Sequence, residues 1–269
     1  VTDATTNGLT VDGRNTSTNT TTFTNNMVTG GNNGFFVRNA NTAKVTSTFN
    51  NNQITNSNVD GIVTDFRDSS NTTLNITNNT IEGVKNNAIN PNSNVNSTRS
   101  AVVNLTISGN SLKDNFRGVE PDALGGSQWN FVFDNNTITN TKKIGFGLYV
   151  DNTSNVVLKA NNNTFTNNNT DNTAISAFDV ALDPNIQGNI PQICLRLSNN
   201  KGSNNQPTDF SIFNGNVGVA NFRVENTLST NTGTISIESN LTSATTVNLN
   251  TNPTLPSPDF TTVTANSCQ

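Results

Sequence analysis

The chain has 269 residues, of which 31% are hydrophobic and 12% charged, and its formal net charge is -4. This length suffices for one large domain, and so small a net charge is not typical of a disordered chain. The acidic balance and the lack of a basic stripe argue against a nucleic-acid partner, and the lack of any run of 18 apolar residues argues against a membrane span.

An asparagine-centred motif repeats along the chain, with copies such as NNMVTG, NNQITN, NNTIEG and NNTITN. Most copies lie 26 or 27 residues apart, and two steps are longer, at 31 and 37 residues. Self-similarity at a fixed period is the mark of a solenoid, in which each repeat stacks on its neighbours. The reference position of the copies is occupied by Asn26, Asn52, Asn79, Asn110, Asn136, Asn163 and Asn200.

Apolar residues recur at fixed places around this reference position. The positions three, five and seven residues before it are apolar in most copies, as at Phe133, Phe131 and Trp129. This alternation predicts a strand with one buried face. A second short strand is predicted two residues after the reference, where the apolar residues are Val28, Ile54, Ile81, Leu112, Ile138 and Phe165.

A third apolar segment begins eight to eleven residues after the reference and opens on a small residue. We place these openings at Gly34, Gly61, Gly118, Gly145 and Ala174. Alternating β-branched residues and frequent Asn disfavour helix, so each period predicts three short strands. If each strand pairs in parallel with its equivalent one turn later, the fold is an all-β parallel β-helix of about 8 to 10 coils.

The asparagines are explained by the turns of such a coil. Stacked Asn side chains at the reference position would form a hydrogen-bonded ladder from coil to coil. A second column, four residues later, contains only Gly, Asn and Asp, which best tolerate a left-handed backbone. Its members are Gly30, Asn56, Gly83, Asp114, Asn140, Asn167 and Asn204.

The repeats resemble those of the right-handed parallel β-helix proteins of the pectate-lyase-like superfamily, which read much like I-x-x-N-x-I-x-x-N-x-x-x-G-I. The resemblance covers residues 20–205 clearly and extends loosely to about residue 250, where FRVENTLS and ISIESNLT look like degenerate coils. It implies a right-handed helix with three short strands in each coil of 26–27 residues. It implies less about activity, because the superfamily includes lyases, hydrolases, epimerases, phage tailspikes and non-catalytic surface proteins.

The predicted organisation is a single β-helix domain over residues 1–250, with clear repeats over 20–205 and degenerate coils over 206–250. No capping helix is evident in the first 22 residues. An extended C-terminal tail is predicted over residues 251–269, where NTNPTLPSPDFTT is broken by prolines. A disulfide between Cys194 and Cys268 would fix this tail along the outside and would indicate an oxidising compartment; the alternative is two free thiols and a mobile tail.

Candidate ligand residues are the carboxylates that follow the third strand. We select Asp65, Asp68, Glu120, Asp122 and Asp151 as a candidate ligand or calcium site, with Arg67 and Arg117 beside them; Asp179 and Asp183 follow a later strand. Asp65 and Asp122 share a column two coils apart, about 10 Å at the usual strand spacing. The alternatives are turn carboxylates paired with arginines, a calcium or sugar site, or a catalytic pair.

Catalysis receives little support from the residues. The chain has no His, and the N-T-D, D-D and G-H-G signatures of the pectin-hydrolase branch are absent. We therefore predict no catalytic residues, no metal site and no cofactor, with calcium as the one alternative.

Two further patterns in the sequence are a T-x-T array and a set of N-x-S/T sequons. Thr137 and Thr139, with Thr164 and Thr166 on the next coil, resemble the ice-contacting face of β-solenoid antifreeze proteins. Charged residues at Glu82 and Lys113 interrupt that column, so strand propensity explains it better. N-x-S/T sequons in predicted loops, such as Asn71, Asn96 and Asn152, would accept glycans in a host that glycosylates.

These inferences predict a secreted, non-enzymatic structural protein of the cell surface or extracellular space. It would assemble head to tail through the ends of the β-helix into a filament, sheath or surface layer, with glycan adhesion as a further property. Its expected partners are other copies of the chain and polysaccharides. The alternatives are a polysaccharide-acting enzyme using Asp65, Asp122 and Asp151, or a glycan-binding adhesin passenger.

Overall fold

The computed structural model describes residues 1–93, 100–174, 176–182, 191–215, 221–239, 243–249, 253–256 and 260–268. Over these ranges the chain is a parallel β-helix of about eight turns with three sheets, as predicted. The described residues include no α-helix, and their one helical element is a 3-10 turn at Leu228–Thr230. None of their helices is long and apolar enough to cross a membrane.

Sheet 1 consists of the third strand of each coil. Its strands, numbered in chain order, are β1 (Asn7–Gly13), β4 (Asn33–Asn39), β7 (Ile62–Phe66), β10 (Asn87–Asn90), β14 (Arg117–Val119), β18 (Phe146–Val150), β21 (Phe178–Leu182), β24 (Phe210–Asn214), β26 (Thr234–Ser239) and β27 (Thr245–Asn248). Two short strands, β11 (Asn92–Ser93) and β15 (Asp122–Ala123), follow the prolines after β10 and β14. All pairs are parallel except β26 with β27.

Sheet 2 consists of the long strand that precedes the reference Asn. Its parallel strands are β2 (Thr18–Thr24), β5 (Lys44–Asn50), β8 (Asn71–Thr77), β12 (Val102–Ser108), β16 (Gln128–Asp134), β19 (Asn155–Asn161), β22 (Gln192–Ser198), β25 (Phe222–Glu225) and β28 (Phe260–Val263). Burial alternates along them as predicted: in β16, Trp129, Phe131 and Phe133 are buried. The first 22 residues are thus part of the solenoid, since they contain β1 and most of β2.

Sheet 3 consists of three-residue strands that follow the reference Asn. They are β3 (Met27–Thr29), β6 (Gln53–Thr55), β9 (Thr80–Glu82), β13 (Ser111–Lys113), β17 (Thr137–Thr139), β20 (Thr164–Thr166) and β23 (Lys201–Ser203). Each strand turns its central residue inward, and the predicted apolar residues there are buried from Val28 to Phe165. The register also confirms that Lys113 pairs with both Glu82 and Thr139, so charges do interrupt the threonine column of this sheet.

The core between the sheets is a continuous stack of apolar side chains. Phe146 and Phe178, from neighbouring coils of sheet 1, stack with ring centroids 4.6 Å apart, and Phe133 of sheet 2 lies 4.6 Å from Phe146. Offset and tilted ring pairs of this kind add to the free energy gained by burial alone. A chain with 31% hydrophobic residues still forms a core, because nearly every inward position is apolar.

The asparagine ladder is confirmed at all seven predicted positions. At each step, Oδ1 of one Asn accepts two hydrogen bonds from the Asn one coil earlier, as Asn163 does from the backbone N–H and the Nδ2 of Asn136 at 2.9 and 3.0 Å. Each Nδ2 from Asn52 onward also donates to a backbone carbonyl of the preceding coil, and that of Asn163 reaches Phe133 O at 2.9 Å. The ladder continues to Asn231, which the sequence reading missed because no Asn precedes it.

The second predicted turn column is also confirmed. All seven of its members, from Gly30 to Asn204, have a positive φ between 54° and 69°. The residue before each reference Asn has a positive φ as well, as at Asn135 with φ 55°. The Asn pairs therefore combine two functions: the first residue makes the turn and the second joins the ladder.

One predicted strand opening was wrong. Ala174 was placed as the equivalent of Gly145, but Phe146 pairs with Phe178, so the equivalent is Ala177. The turn before β21 is five residues longer than in neighbouring coils, and part of the 37-residue step lies there. The error moved Asp179 out of its column.

The C-terminal segment differs from the predicted outer tail. β28 pairs in parallel with β25 and becomes the last strand of sheet 2. Only the residues after it lie on the outer face of the sheet, where the backbone N–H groups of Asn266 and Cys268 donate to the buried carboxylate of Glu225 at 2.9 and 2.7 Å. The predicted disulfide between Cys194 and Cys268 is present.

Candidate functional site

The acidic residues selected from the sequence lie on the outer face of sheet 1 or in the turn that follows it. The register confirms the predicted column: Asn92 pairs with Asp122, and Asp65 precedes Phe66, the partner of Ser93. Asp65 and Asp122 therefore stand two coils apart with Asn92 between them.

Asp65 belongs to a ladder of ion pairs near the N-terminal end of sheet 1. It pairs in register with Arg38, which pairs with Asp12, and its carboxylate accepts a hydrogen bond from Nε of Arg67 at 2.8 Å. Hydrogen bonds from Arg38 and Arg14 hold the pKa of Asp12 below its usual range. Exposed ion pairs of this kind contribute little to stability, and their charges are already balanced by arginines.

Asp68 and Asp151 are turn residues. Asp68 has a φ of 60°, and its carboxylate accepts a hydrogen bond from the backbone N–H of Asn41 at 3.0 Å. The carboxylate of Asp151 accepts hydrogen bonds from the backbone and the side chain of Asn152. Both carboxylates thus have a local structural role, apart from any ligand.

Glu120 and Asp122 differ because they are largely buried. Burial raises the pKa of Asp122 to about 6, and the negative charge of Glu120 adds to that shift. Burial also raises the pKa of Glu120, against the opposing charge of Arg117, whose Nε lies 3.5 Å from its carboxylate. These two carboxylates lie at the centre of the outer face, where desolvation favours the protonated forms.

Asp179 stands in the same outward column as Glu120. Glu120 follows Val119, the partner of Phe146, and so lies opposite Gly147, which in turn pairs with Asp179. The two acidic residues are thus separated by two strand spacings, about 10 Å, with a glycine between them. Gly147 has no side chain, and that of Ile144 covers it instead, which leaves open space beside Ile144 between the two carboxylates.

A pocket of about 230 Å³ occupies this space. Glu120 and Asp179 line it together with Arg117, Lys143, Ile144, Tyr149, Thr173 and Ala174. The longer turn before β21 provides the Thr173 side of the pocket. Tyr149, which pairs with Asp122, is the aromatic residue among those that line the pocket, and it is 39% exposed.

The carboxylate of Asp179 is buried beneath the pocket. The residue is 2% exposed, and its Oδ1 has no hydrogen-bond partner among the residues that the structure describes. Burial raises the pKa of Asp179 to about 6, although the hydroxyl of Ser211 lowers it in part. A buried acceptor without a partner is costly, so a ligand that donates to it would recover free energy.

Two cations also line the pocket. Arg117 and Lys143 both lie over the ring of Phe116, at 5.1 and 5.4 Å from its centroid. The guanidinium of Arg117 also donates to Oδ1 of Asn86 at 2.9 Å. The pocket therefore offers both hydrogen-bond donors and carboxylate acceptors, and Arg117 and Glu120 form an ion pair within it at 3.5 Å.

A calcium site receives no support from the geometry. Within the described ranges, no three acidic or cysteine side chains come close enough together to hold a metal ion. Asp65 and Asp68 lie on one coil and Asp151 follows β18, three coils further along, while Glu120 and Asp122 are only two.

The sequence alone did not reveal that Glu120 and Asp179 share one column of sheet 1, because the strand opening before β21 was placed at the wrong residue. Counted from the correct small residues, Gly118, Gly145 and Ala177, the positions two residues later are Glu120, Gly147 and Asp179. Counted from Ala174, Asp179 appears five residues later and matches nothing. The available signal was the 37-residue step, because extra length in a regular repeat marks loops, where sites are often built.

The predicted glycosylation sites are surface positions where they are described. Asn71 is exposed but is the first residue of β8 and not a loop residue, whereas Asn152 lies in the turn after β18. Asn96 and the carboxylate of Asp183 lie outside the described residues.

Within the described residues, the pocket on sheet 1 thus brings together Glu120, which the sequence predicted as a candidate, and Asp179, which the register added. No protein-family model, no curated protein and no solved structure matches this chain.

Proposed function

We propose that this protein is a secreted, non-enzymatic solenoid that adheres to glycans through the pocket over Gly147. The observation that carries the proposal is the pocket of about 230 Å³ in which Glu120 and Asp179 stand on either side of a glycine. Tyr149, Arg117 and Lys143 also line the pocket, so its surface offers hydrogen-bond donors, acceptors and an exposed aromatic ring. A sugar unit presents hydroxyl groups that donate and accept, together with apolar C–H faces, and fits such a wall.

The orphaned oxygen of Asp179 favours a hydroxyl-bearing ligand over an anion. A sugar hydroxyl donating to Oδ1 would satisfy a buried acceptor at little cost. Arg117 and Lys143 would donate hydrogen bonds to hydroxyl oxygens or to a carboxylate of the sugar. The pocket opens on the outer face of sheet 1, where a longer chain would continue over neighbouring coils.

Binding is favoured over cleavage by the direction of the pKa shifts. A general acid and a base or nucleophile need pKa values that their surroundings push apart. Here burial pushes the pKa of Glu120, Asp122 and Asp179 in the same direction, upward. The set therefore lacks the two carboxylates of contrasting pKa that a glycosidase pair requires.

The test is titration of the purified protein with a panel of neutral and uronic-acid polysaccharides, followed by calorimetry and by product analysis. Glu120→Gln and Gly147→Val are the informative variants, since the first replaces an acceptor oxygen by a donor and the second displaces the Ile144 side chain, which lines the pocket. Glu82→Gln is the matched control, because Glu82 is a half-exposed carboxylate on sheet 3.

We expect one class of glycan to bind, both pocket variants to weaken that binding and the control to retain it. Failure of every glycan to bind would contradict the proposal. Cleavage of a glycan that is lost in Glu120→Gln would show that the protein is an enzyme and would overturn the non-enzymatic assignment.

We also propose that the protein is extracellular and that it belongs to the pectate-lyase-like superfamily. The disulfide between Cys194 and Cys268 supports an oxidising compartment, since such bonds persist in secreted proteins. The parallel β-helix with three sheets supports membership of the pectate-lyase-like superfamily on its non-catalytic surface branch, by fold alone. Labelling of intact cells with an antibody to the protein tests the location.

Self-assembly is the second candidate. The observation that favours it is that sheet 2 ends in a parallel strand at both ends, β2 and β28, and each presents one unpaired edge among the described residues. An edge of this kind pairs readily with another chain, and a contact between unlike ends propagates into a filament. Electron microscopy at high protein concentration tests it, and a field of separate monomers would contradict it.

A further inference from the structure

The outer face of sheet 2 carries a regular array of small polar side chains at its N-terminal end. We define the threonine face as the outward residues of β2, β5, β8 and β12: Thr18, Thr20, Thr22, Thr24, Lys44, Thr46, Thr48, Asn50, Asn71, Thr73, Asn75, Thr77, Val102, Asn104, Thr106 and Ser108. Lys44 is the one charged residue among them, and it lies at the edge of the array.

The array is in register in both directions. Thr20 pairs with Thr46 and Thr46 with Thr73, while Thr22 pairs with Thr48 in the adjacent column. Pairing continues through β8 and β12 without a slip of one residue. Side chains therefore repeat about every 4.8 Å across the strands and about every 6.6 Å along them, which makes a two-dimensional lattice.

The hydroxyl groups at the centre of this face are not used by the fold. Among the described residues, no hydrogen bond joins the side chains of Thr20, Thr22, Thr46 or Thr48 to any other group. The contrast is with sheet 3, where the hydroxyls of Thr29 and Thr55 bond to each other at 3.0 Å. Four neighbouring hydroxyls of sheet 2 thus remain available to an external partner, each beside a methyl group.

We propose that the threonine face binds ice. The partner must be flat, uncharged and periodic, because the face has hardly any charge and a repeat in two dimensions. A pocket of about 260 Å³ adjoins the face at Val102 and Asn104 of β12, away from the four central threonines. The surface of an ice crystal has these properties and presents ordered donors and acceptors at short, regular spacings. A strongly hydrated ammonium group would hold its own disordered water shell, so the near absence of Lys from the array suits this partner.

The near absence of charged side chains separates this face from the threonine column of sheet 3. There Glu82 and Lys113 lie within the array and form an ion pair at 3.4 Å. On sheet 2 the two central columns contain no charged residue from β2 to β12. Charged side chains enter these columns further along, at Lys159, Arg196 and Arg223.

The test is thermal hysteresis and inhibition of ice recrystallisation by the purified full chain. Thr48→Lys places an ammonium group at the centre of the face without touching the core, because Thr48 points outward from β5. Thr137→Lys makes the same change on sheet 3, at an exposed outward position, and serves as the matched control. Circular dichroism and melting temperature confirm that both variants are folded.

We expect the unmodified protein to inhibit recrystallisation, Thr48→Lys to lose this activity several-fold and Thr137→Lys to retain it. Absence of both activities in the unmodified protein would overturn the proposal. Equal loss in the two variants, or full activity in folded Thr48→Lys, would overturn the assignment to this face. A change of oligomeric state in Thr48→Lys without any ice activity would indicate a second copy of the chain as the partner instead. Loss of glycan binding in the pocket variants is independent of all these outcomes.

Discussion

The amide oxygen of Asn136 accepts two hydrogen bonds from Asn110, one from its backbone N–H and one from its Nδ2, both at 3.0 Å. Nδ2 of Asn136 in turn donates to Ile107 O at 2.9 Å. Every polar atom of this buried side chain is therefore satisfied, and the backbone of two coils is joined through it. The arrangement recurs from coil to coil as far as Asn231.

Replacing one rung should destabilise the fold strongly. In Asn136→Ala, the buried backbone N–H of Asn110 and the carbonyl of Ile107 lose their partners, so we expect a loss of about 2 to 4 kcal/mol in the free energy of unfolding. Urea denaturation followed by fluorescence of Trp129 measures it. Asn155→Ala, at an exposed position of β19, is the control and should change stability by less than about 0.5 kcal/mol. Similar values for both variants would contradict a structural role for the ladder.

The small residues that open sheet 1 are required by close packing between coils. A Cβ at Gly118 would overlap the backbone carbonyl of Gly145, whereas one at Gly147 would meet only the end of the Ile144 side chain, at 2.9 Å. We expect Gly118→Ala to cost about 1 to 3 kcal/mol and Gly147→Ala clearly less. Parallel thermal melts compare the two, and a greater loss in Gly147→Ala would contradict this account.

Stability should fall as the pH rises through about 6, because of Asp179. Its pKa in the folded protein is raised to about 6 from an ordinary 3.8, so the folded state holds the proton more tightly than the unfolded state does. The stability is fully present below pH 4 and is lost between pH 4 and 7, by up to about 3 kcal/mol for this group.

Asp179→Asn should remove that part of the pH dependence. The variant should match the unmodified protein near pH 4 and exceed its stability near pH 8, measured as the free energy of unfolding at each pH. Glu82→Gln is the control, since its carboxylate is half-exposed on another sheet. A variant as pH-dependent as the unmodified protein would show that Asp179 is not the group responsible.

Removal of the disulfide should release the C-terminal end first. In the double variant Cys194→Ser with Cys268→Ser, a loop with a sequence separation of 74 is no longer closed, and the loop-entropy model predicts a loss of about 4 kcal/mol. Hydrogen exchange should show β28 losing protection before β16. Equal loss of protection in the two strands would mean that the bond stabilises the solenoid only as a whole.

Much of the architecture was predictable from the sequence, because the physics of one coil is local and repeats. Period-two alternation before each reference Asn predicted the inward residues of sheet 2, such as Phe131 and Phe133, and both are buried. The Gly, Asn and Asp column predicted left-handed turns at all seven positions. Asn231 was missed because its coil lacks the Asn pair, although its side chain continues the same hydrogen bonds.

The functional surface was less predictable, because it depends on register across long insertions. Glu120 and Asp179 are neighbours in one column only through the pairing of Phe146 with Phe178, and the extra residues before β21 hid that pairing. On the outer face of every sheet, the residues that become neighbours likewise depend on the register of the strands. Outward residues on adjacent strands are about one full coil apart in sequence, and few constraints act on their identity.

The sequence by itself determined the solenoid, its turns and its asparagine ladder, since each follows from residue types repeated at a fixed period; for the two cysteines it left a disulfide and free thiols as alternatives. Only the tertiary structure decided which outward side chains meet: the pocket over Gly147, the ion pairs of Asp65, the threonine face and the place of β28 in sheet 2. The physical reason is that most inward positions must be apolar, with exceptions such as Ser47 and Thr72, whereas outward positions are free to differ. Their neighbours become known only when the register of the sheets is known.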